Sequence, residues 1–402
     1  MMVHFKQVAK LKGSKSVALV ECEGYGRERA LEAVRSSIEL IGGIDRFVRP
    51  GQRILLKPNI LAPSTADKCV ATHPDVIYAV AKVLVDHGCK VILAESPGAG
   101  LIYSAANLKK AYETVGYDQV AIDLGIELNE DIEWRDIANP DGVLMKRLKL
   151  IEPVFNVDAV VIVSKMKTHL FTLMTGAAKN VFGLVPGMEK ATFHARLQRP
   201  EDFGRMIVDV NEFVKPTLEI MDAVDAMEGE GPQSGTPRRV GAILASSSYT
   251  ALDVVASRIM SIDPNGVFTI RAAVERGLIS EDLSDVEVVG GELEKFIVHD
   301  FKKPSTFMGK KKSGGKVEKA MLGLIKLYAL KPSIVRSMCI GCGKCYRGCP
   351  MKAISMKNGK AKVNQRKCIR CYSCHEFCVS HAIRLKRSLG GKAMAAMVER
   401  KK

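Results

Sequence analysis

The sequence contains no apolar run that approaches the roughly 20 residues a membrane-spanning helix needs. Its first residues, MMVHFKQVAKLKGSK, hold no apolar stretch typical of a secretory signal. Aromatic residues make up only 6% of the chain, whereas hydrophobic residues as a whole make up 47%, a composition typical of globular proteins. We therefore expect a cytoplasmic protein without a transmembrane segment.

The signatures of common nucleotide and zinc sites are also missing. No G-x-G-x-x-G follows a predicted strand in residues 1–301, and the turn ESPGAG lacks the G-K-[ST] end of a P-loop. His73, His169 and His194 do not have the spacing of a zinc motif such as H-E-x-x-H. A metal site that joins these histidines is therefore only a lesser alternative.

Cysteine is concentrated in one short segment. Three of the eleven cysteines (Cys22, Cys69 and Cys89) are scattered among apolar residues, where buried, unreactive thiols are the simplest interpretation. The other eight follow the spacing C-x2-C-x2-C-x3-C twice, 29 residues apart: Cys339, Cys342, Cys345 and Cys349, then Cys368, Cys371, Cys374 and Cys378. This repeated spacing indicates an internal duplication.

Each half predicts a loop around an iron–sulfur cube, since cysteines at this spacing direct three thiolates at three corners of one [4Fe–4S] cluster and the other half supplies the fourth. We therefore predict two [4Fe–4S] clusters, held by Cys339, Cys342, Cys345 and Cys378 and by Cys368, Cys371, Cys374 and Cys349. Zinc would not require this run of cysteines, and disulfides fit poorly with a chain in which no secretory signal is evident. Residues 333–385 resemble bacterial-type ferredoxins throughout.

The net charge of +16 is unevenly spread, because residues 1–301 are net acidic and basic residues greatly outnumber acidic ones from Lys302 onward. A basic iron–sulfur domain attracts acidic proteins, so we expect an acidic electron donor or acceptor of the ferredoxin or flavodoxin type as partner. Nucleic acid is a weaker alternative. The aromatic residues Tyr346, Tyr372 and Phe377 lie inside the cysteine loops, where core packing is their simpler role.

Strand-like and helix-like segments alternate along most of the chain, which predicts an α/β domain with a doubly wound, mostly parallel sheet. We divide the chain into this α/β domain (1–301), a basic linker and connecting helix (302–332), a small α+β ferredoxin-like domain with two clusters (333–385) and a basic tail (386–402). The connecting helix packs between the domains or, as a lesser alternative, lies on an anionic membrane surface.

Polar side chains follow several of the predicted strands: Lys57 and Asn59, then Glu95, Ser96 and Gly98, then Lys165, Lys167 and His169, and finally Asp222 and Asp225. In open α/β sheets, ligands bind just past the carboxyl ends of parallel strands. We therefore expect these groups to meet at the mouth of one site.

The stretch VSKMKTHLFTLMTGAAKNVFGLVPG (163–187) combines K-x-K-T-H with T-G-x-x-K-N-x-F-G. Together with LKPN (56–59), THP (72–74), MEGEGP (227–232) and ALDVVASRIMSIDP (251–264), it resembles the family called domain of unknown function 362. Members of that family often carry a fused ferredoxin segment. The resemblance implies an architecture but no established reaction.

The predicted catalytic group is Lys165, Lys167, His169, Lys179 and Glu228, and the predicted ligand-holding group is Lys57, Asn59, Ser96, Gly98 and Asn180. Crowded ammonium groups would bind an anion and lower one another's pKa, so that one lysine can act as a base or nucleophile. His169 would move protons, and Glu228 would supply a carboxylate from a flexible loop. The alternative is that some lysines form salt bridges with Glu95, Asp222 or Asp225.

Two functions fit these features. In the first, the clusters exchange electrons with an anionic ligand or cofactor held by the Lys/His site, which makes the chain an oxidoreductase if it has a turnover reaction. In the second, the chain is an electron-transfer adaptor that docks a partner protein and has no reaction of its own. A tethered electron relay has a raised effective concentration at one acceptor, which favours the first function.

Overall fold

The computed structural model describes residues 15–98, 102–187, 189–306 and 330–386, without the side chain of Ala195. Most of the predicted linker, its connecting helix and the basic tail lie outside these residues. Within the described part, no helix is long and apolar enough to cross a membrane.

The α/β domain, which we call the body, alternates strands and helices in the described residues. Its strands are β1 (Lys15–Glu21), β2 (Arg53–Lys57), β3 (Lys90–Leu93), β4 (Glu127–Leu128), β5 (Trp134–Ala138), β6 (Arg147–Ile151), β7 (Ala159–His169), β8 (Leu173–Thr175), β9 (Leu218–Glu228), β10 (Thr236–Ser246) and β11 (Val286–Gly290). Its helices are α1 (Arg27–Leu40), α2 (Pro74–Asp86), α3 (Ala105–Val115), α4 (Tyr117–Leu124), α5 (Ala177–Asn180), α6 (Glu189–Arg196), α7 (Pro200–Val214), α8 (Tyr249–Ile259) and α9 (Phe268–Glu275).

One sheet organises the body, in the strand order β11-β1-β10-β9-β7-β2-β3-β4, with β8 folded back onto β7. Strand β10 runs antiparallel to β1 and β9, and β8 runs antiparallel to β7, whereas the other neighbours are parallel. Strands β5 and β6 form a separate antiparallel pair. The prediction of a mostly parallel sheet is confirmed.

Helices cover both faces of this sheet, because successive residues of its central strand are apolar and point to opposite faces. Val161 and Val163 of β7 pack in a core with α1 and α2, whereas Val160 and Ile162 pack on the opposite face with α7. Such two-sided burial explains why the strand reads as a continuous apolar run in the sequence. The doubly wound α/β architecture follows from this arrangement.

Strand β7 is longer than predicted and corrects the expected position of the cations. Lys165, Lys167 and His169 were expected just past the end of this strand, but the strand runs to His169 and is buried along its whole length. Strand β8 supplies partners on one side through His169↔Leu173, and β9 supplies them on the other through Lys165↔Asp222. The lysines and the histidine therefore lie inside a strand rather than at an open mouth.

The ferredoxin-like domain contains β12 (Lys331–Ile334), β13 (Ile354–Lys357), β14 (Lys360–Val363) and β15 (Ile383–Lys386), with short helices at Lys344–Arg347 and Ser373–Glu376. Strand β12 pairs with β15, and β13 pairs with β14. Gly341 and Gly343 have positive φ values, as do Arg370 and Tyr372 at the equivalent positions of the second cysteine segment. Both loops therefore follow the same backbone path. Glycine favours the positive φ values of this path, and the second segment adopts them without glycine.

The second half of the ferredoxin-like domain packs on the body. Tyr372 lies in an apolar cluster with Leu170, and Phe377 packs with Ala62. Ser234 Oγ lies 2.9 Å from Nδ1 of His381. This contact positions the second cysteine segment beside the end of strand β7.

Candidate functional site

Lys57 ends strand β2 and is fully buried. Its Nζ atom donates hydrogen bonds to Glu95 Oε2 (2.5 Å), Asn180 Oδ1 (3.1 Å) and the Pro58 carbonyl oxygen (2.8 Å). Burial lowers the pKa of Lys57 and raises the pKa of Glu95, while the attraction between the two groups opposes both shifts. Lys57 therefore belongs to an internal ion pair, as the salt-bridge alternative predicted.

Lys165 is paired in the same way. Its Nζ atom donates to Asp222 Oδ2 (2.8 Å) and to the Tyr25 hydroxyl (2.7 Å), and Asp222 also accepts from the backbone N–H of His73 (2.9 Å). The rings of Tyr25 and His73 stack with their centroids 3.6 Å apart. Tyr25 was not identified from the sequence, where nothing distinguished it from other tyrosines. These four side chains form a network that is satisfied internally.

Lys167 differs, since its hydrogen-bond acceptors are neutral. Its Nζ atom donates to Asn59 Oδ1 (2.6 Å) and to the Val70 carbonyl oxygen (2.8 Å). Burial, together with the charges of Lys179 and Lys165, lowers the pKa of Lys167 to about 7. This lysine can therefore gain or lose a proton near neutral pH.

His169 reaches the ferredoxin-like domain. Its Nδ1 atom accepts from the backbone N–H groups of Phe171 (3.0 Å) and Thr172 (3.3 Å), which leaves the ring proton on Nε2. Nε2 lies 3.6 Å from Oε1 of Glu376, and neither atom has a hydrogen-bond partner among the described residues. Burial lowers the pKa of His169 well below its usual value, so the ring is neutral.

Lys179 and Glu376 meet at the same junction between the domains. The ammonium group of Lys179 lies 5.8 Å from the centre of the Phe182 ring. Burial lowers the pKa of Lys179 and raises the pKa of Glu376, and the charge of each group opposes the shift of the other. Glu376 is only 5% exposed, and sequence reasoning missed it. Its signal was its isolation, as the single acidic residue in residues 333–385. We call Lys167, His169 and Lys179 the lysine–histidine group.

Two asparagines connect the lysines. Asn59 Nδ2 donates to Asn180 Oδ1 (3.0 Å), so that hydrogen bonds run from Lys57 through both amides to Lys167. This chain joins strand β2, helix α5 and strand β7. The predicted residues that the structure brings together are Lys57, Asn59, Lys165, Lys167, His169, Lys179 and Asn180.

Ser96 and Gly98 follow strand β3, where Ser96 lies near Lys190 and Gly98 lies against Leu61. The hydroxyl oxygen of Ser96 accepts from the Gly187 N–H (2.8 Å) and from Lys190 Nζ (3.0 Å). Burial lowers the pKa of Lys190 to about 7, although a nearby carboxylate favours its charged form. Sequence reasoning missed Lys190 because it lies beyond the K-x-K-T-H and T-G-x-x-K-N patterns.

Glu228 is placed differently from the prediction of a carboxylate on a flexible loop. It is the last residue of β9 and is buried, because β10 pairs with it through Thr236. Its carboxylate accepts from the Lys302 backbone N–H (3.0 Å) and lies 3.2 Å from Lys302 Nζ and 3.9 Å from Arg238. Glu228 therefore anchors the chain at Lys302 rather than joining the lysine–histidine group.

Two of the histidines, His73 and His194, stack on aromatic rings. His194 stacks on Phe203 with centroids 4.6 Å apart, and burial lowers the pKa of His194 to about 3. Across the described ranges, no three His, Cys, Asp or Glu side chains are placed to hold a single metal ion.

The eight clustered cysteines line two cavities. One is lined by Cys339, Cys342, Cys345 and Cys378, and the other by Cys349, Cys368, Cys371 and Cys374. Backbone N–H groups donate to sulfur in both, from Ala353 to Cys349 (3.2 Å) and from Ala382 to Cys378 (3.1 Å). Four thiolates with N–H···S bonds fit a [4Fe–4S] cluster in each cavity.

Known families match both parts of the chain. A family model described as Domain of unknown function (DUF362) matches residues 54–258, and a 4Fe-4S dicluster domain matches residues 331–379. The curated "Thylakoid-associated protein sll1697" of Synechocystis sp. (strain ATCC 27184 / PCC 6803 / Kazusa) is 32% identical over 295 residues. That alignment covers 73% of this chain and 89% of the relative. The dicluster match supports two [4Fe–4S] clusters.

Two solved structures are more distantly similar. The lactate racemase apoprotein from Thermoanaerobacterium thermosaccharolyticum aligns with a TM-score of 0.39 and 12% identity, over 63% of this chain and 58% of the racemase. A protein from Thermotoga maritima aligns with a TM-score of 0.33 and 14% identity, over 55% of each chain. These TM-scores are too low to carry an argument about function.

Proposed function

The chain belongs to the DUF362 family and carries a 4Fe-4S dicluster domain, and we propose that it is a redox protein whose body binds an anionic ligand or cofactor beside that domain. In this proposal electrons pass between the two [4Fe–4S] clusters and a ligand held by the lysine–histidine group. Cys339, Cys342, Cys345 and Cys378 hold one cluster, and Cys349, Cys368, Cys371 and Cys374 hold the other.

The observation that carries the proposal is the contact between His169 and Glu376. It places the second cysteine segment directly against the lysine–histidine group, with Nε2 and Oε1 3.6 Å apart. Buried polar atoms are nearly always hydrogen-bonded in proteins, and exceptions ask for an explanation such as a ligand. Two such atoms at the junction between a body and an iron–sulfur domain mark it as a place where a polar ligand would be held.

Each residue of the group has a role that its surroundings favour. Lys167 and Lys179 supply positive charge to a carboxylate or phosphate, and the lowered pKa of Lys167 lets it transfer a proton as well. His169 donates a hydrogen bond from Nε2, because Nδ1 is already used. Asn59 holds Lys167 in place by accepting a hydrogen bond from its Nζ atom, and Asn180 in turn accepts one from Asn59. When bound, the clusters supply one-electron transfer.

A second function, an electron-transfer adaptor without a reaction of its own, is favoured by a different observation. Lys57 forms an ion pair with Glu95, and Lys165 forms one with Asp222. Fewer lysines are therefore left to bind an anionic ligand than the sequence predicted. Glu376 already brings a carboxylate to the group. In the adaptor these buried charges would only fix the position of the iron–sulfur domain.

The relative's name associates that protein with thylakoids. The cytoplasmic location of this chain therefore stays a prediction, and so does the identity of its redox partner.

The experiment uses anaerobically purified protein with both clusters reduced by dithionite. The reduced chain is mixed with a panel of anionic metabolites and cofactors, and cluster reoxidation is followed by absorbance and EPR. Three variants are compared with the unaltered protein: Lys179→Met, His169→Gln and the control Lys110→Met, which changes an exposed lysine of helix α3.

Reoxidation by one compound, lost in the Lys179 and His169 variants but kept in the control, would establish the ligand site. Iron content and EPR signals must be unchanged in all variants for this comparison. Reoxidation only by a redox protein, at the same rate in every variant, would refute the ligand site and leave the adaptor.

A further inference from the structure

The two cysteine segments differ in exposure. In the first, Ile340 is 65% exposed and Tyr346 49% exposed, and Cys342 lies at the surface. In the second, His375 stands at the position equivalent to Tyr346 and is buried. We name as the outer face the surface formed by Ile340, Cys342, Lys344, Tyr346 and Arg347. Cys342 is the one exposed cysteine of the eight, whereas Cys349, Cys368 and Cys371 of the other set are half-buried. A partner in solution can therefore come nearest to a cluster ligand at Cys342.

The outer face carries only positive charge. Glu376 is the single acidic residue in residues 330–386, and it is buried on the body side. Arg347 and Arg336 are exposed, and Arg347 donates a hydrogen bond to the Cys342 carbonyl oxygen (2.9 Å). Charges of one sign steer a protein of the opposite sign and speed its association. This face therefore selects an acidic partner.

Ile340 and Tyr346 give the outer face an apolar centre inside this basic rim. An apolar core with a polar rim is the usual anatomy of a protein–protein interface. Electron-transfer complexes are weak and bury less than about 1,200 Å² of surface, so a small face can serve as their docking site. A partner seated here would lie against the exposed Cys342.

We infer that an acidic one-electron redox protein docks on the outer face and exchanges electrons at the Cys342 cluster site, while the second cluster site faces the lysine–histidine group. With a cluster held by Cys339, Cys342, Cys345 and Cys378, each exchange would oxidise the partner by one electron and reduce the cluster by one. No bond forms or breaks, and no proton moves. The inference deepens the proposed function. It rests on that function in one respect only, namely that the electron finally reaches a ligand in the body.

The test is a stopped-flow measurement on the anaerobic, oxidised full chain with both clusters. The probe is an acidic [2Fe–2S] ferredoxin, reduced beforehand, and the observable is the second-order rate constant of cluster reduction at several ionic strengths. Arg347→Glu is compared with Lys367→Glu, because both change an exposed cation to an anion and Lys367 precedes Cys368 of the second segment.

We expect Arg347→Glu to lower the rate constant about tenfold at low ionic strength and to have little effect in high salt, where charges are screened within about 3 Å at 1 M. Lys367→Glu should change it less than about twofold. Lys344→Glu repeats the charge reversal and leaves the hydrogen bond from Arg347 to Cys342 intact. It therefore tests the charge even if the loss of that bond disturbs folding. Tyr346→Ala should slow the reaction even in high salt, because the apolar centre is lost.

Equal slowing by the two charge reversals, or greater slowing by Lys367→Glu, would overturn the inference. A second result would also overturn it: the chain sediments with phosphatidylserine vesicles, and Arg347→Glu abolishes this sedimentation but leaves the electron-transfer rate unchanged. The outer face would then be a membrane contact. The assay contains no small-molecule ligand. Its failure is therefore distinguishable from failure of the proposed ligand site, which is measured by reoxidation.

Discussion

The two cysteine segments form a comparison within one molecule. They share their spacing, their left-handed loop positions and their short helices, yet Arg347 of the first and Glu376 of the second stand at equivalent positions with opposite charge. Arg347 is exposed to solvent, whereas Glu376 is buried against His169. The duplication thus specifies how each segment wraps a cluster. The residues between the ligands decide what each segment faces.

This difference gives the domain a direction. The first segment is exposed, basic and partly apolar, while the second is enclosed by Leu170, Ala62 and the lysine–histidine group. A relay between a partner in solution and a buried site needs such unequal ends. A domain with two identical segments would offer the same surface twice and could not distinguish a partner from the body.

The strongest test of this comparison is to replace single cluster-binding cysteines by serine. We expect Cys378→Ser, although it lies in the second segment, to lose the same EPR signal as Cys342→Ser, because both cysteines line one cavity. Cys349→Ser should match Cys371→Ser for the same reason. Each variant should fall from about eight irons per chain to about four. Iron analysis and EPR of the reduced protein measure this.

The opposite result would be loss of one shared signal by Cys378→Ser and Cys371→Ser. Each segment would then hold its own cluster. The two ends of the domain would be independent, and the comparison between an outer and an inner segment would concern two separate sites.

A second test uses the equivalent positions directly. Glu376→Ala removes a buried carboxylate and leaves the charge of Lys179 without the opposite charge that favours it, so we expect a loss of about 1–3 kcal/mol in the free energy of unfolding. Arg347→Ala removes an exposed side chain and should change it by less than about 0.5 kcal/mol. Calorimetric melting of both variants with full iron content measures the difference. Equal melting temperatures would mean that the junction with the body contributes nothing to stability.

The sequence predicted the features that depend on local spacing. The cysteine repeat specifies its own clusters, since three ligands of each lie within seven residues of loop, from Cys339 to Cys345 in the first segment. The alternation of apolar strands and amphipathic helices likewise predicted the α/β class. Both signals are carried by neighbouring residues, so no knowledge of the tertiary structure was needed.

The partners of the buried charges could not be predicted in the same way. Whether Lys165 meets Asp222 depends on the register between β7 and β9, and the position of the β7 end depends on β8 folding back. Glu376 reaches His169 only because one domain packs on another. Such contacts join residues far apart in the chain, and the sequence alone left the ion pair and the free cation as open alternatives for each lysine.

The smallest expected effect is a pH dependence of anion binding at the lysine–histidine group, which the second cysteine segment faces. A bound anion raises the pKa of Lys167 from about 7, so binding takes up a proton, and binding strengthens as the pH falls toward 6. With sulfate as probe, whose charge is constant in this range, we expect affinity to rise by up to about fivefold between pH 8 and pH 7 and by up to about tenfold between pH 8 and pH 6. Calorimetry in buffers of different ionisation enthalpy counts the protons. Lys167→Met should flatten this dependence and Lys190→Met should leave it, whereas an unchanged slope in Lys167→Met would assign the proton to another group.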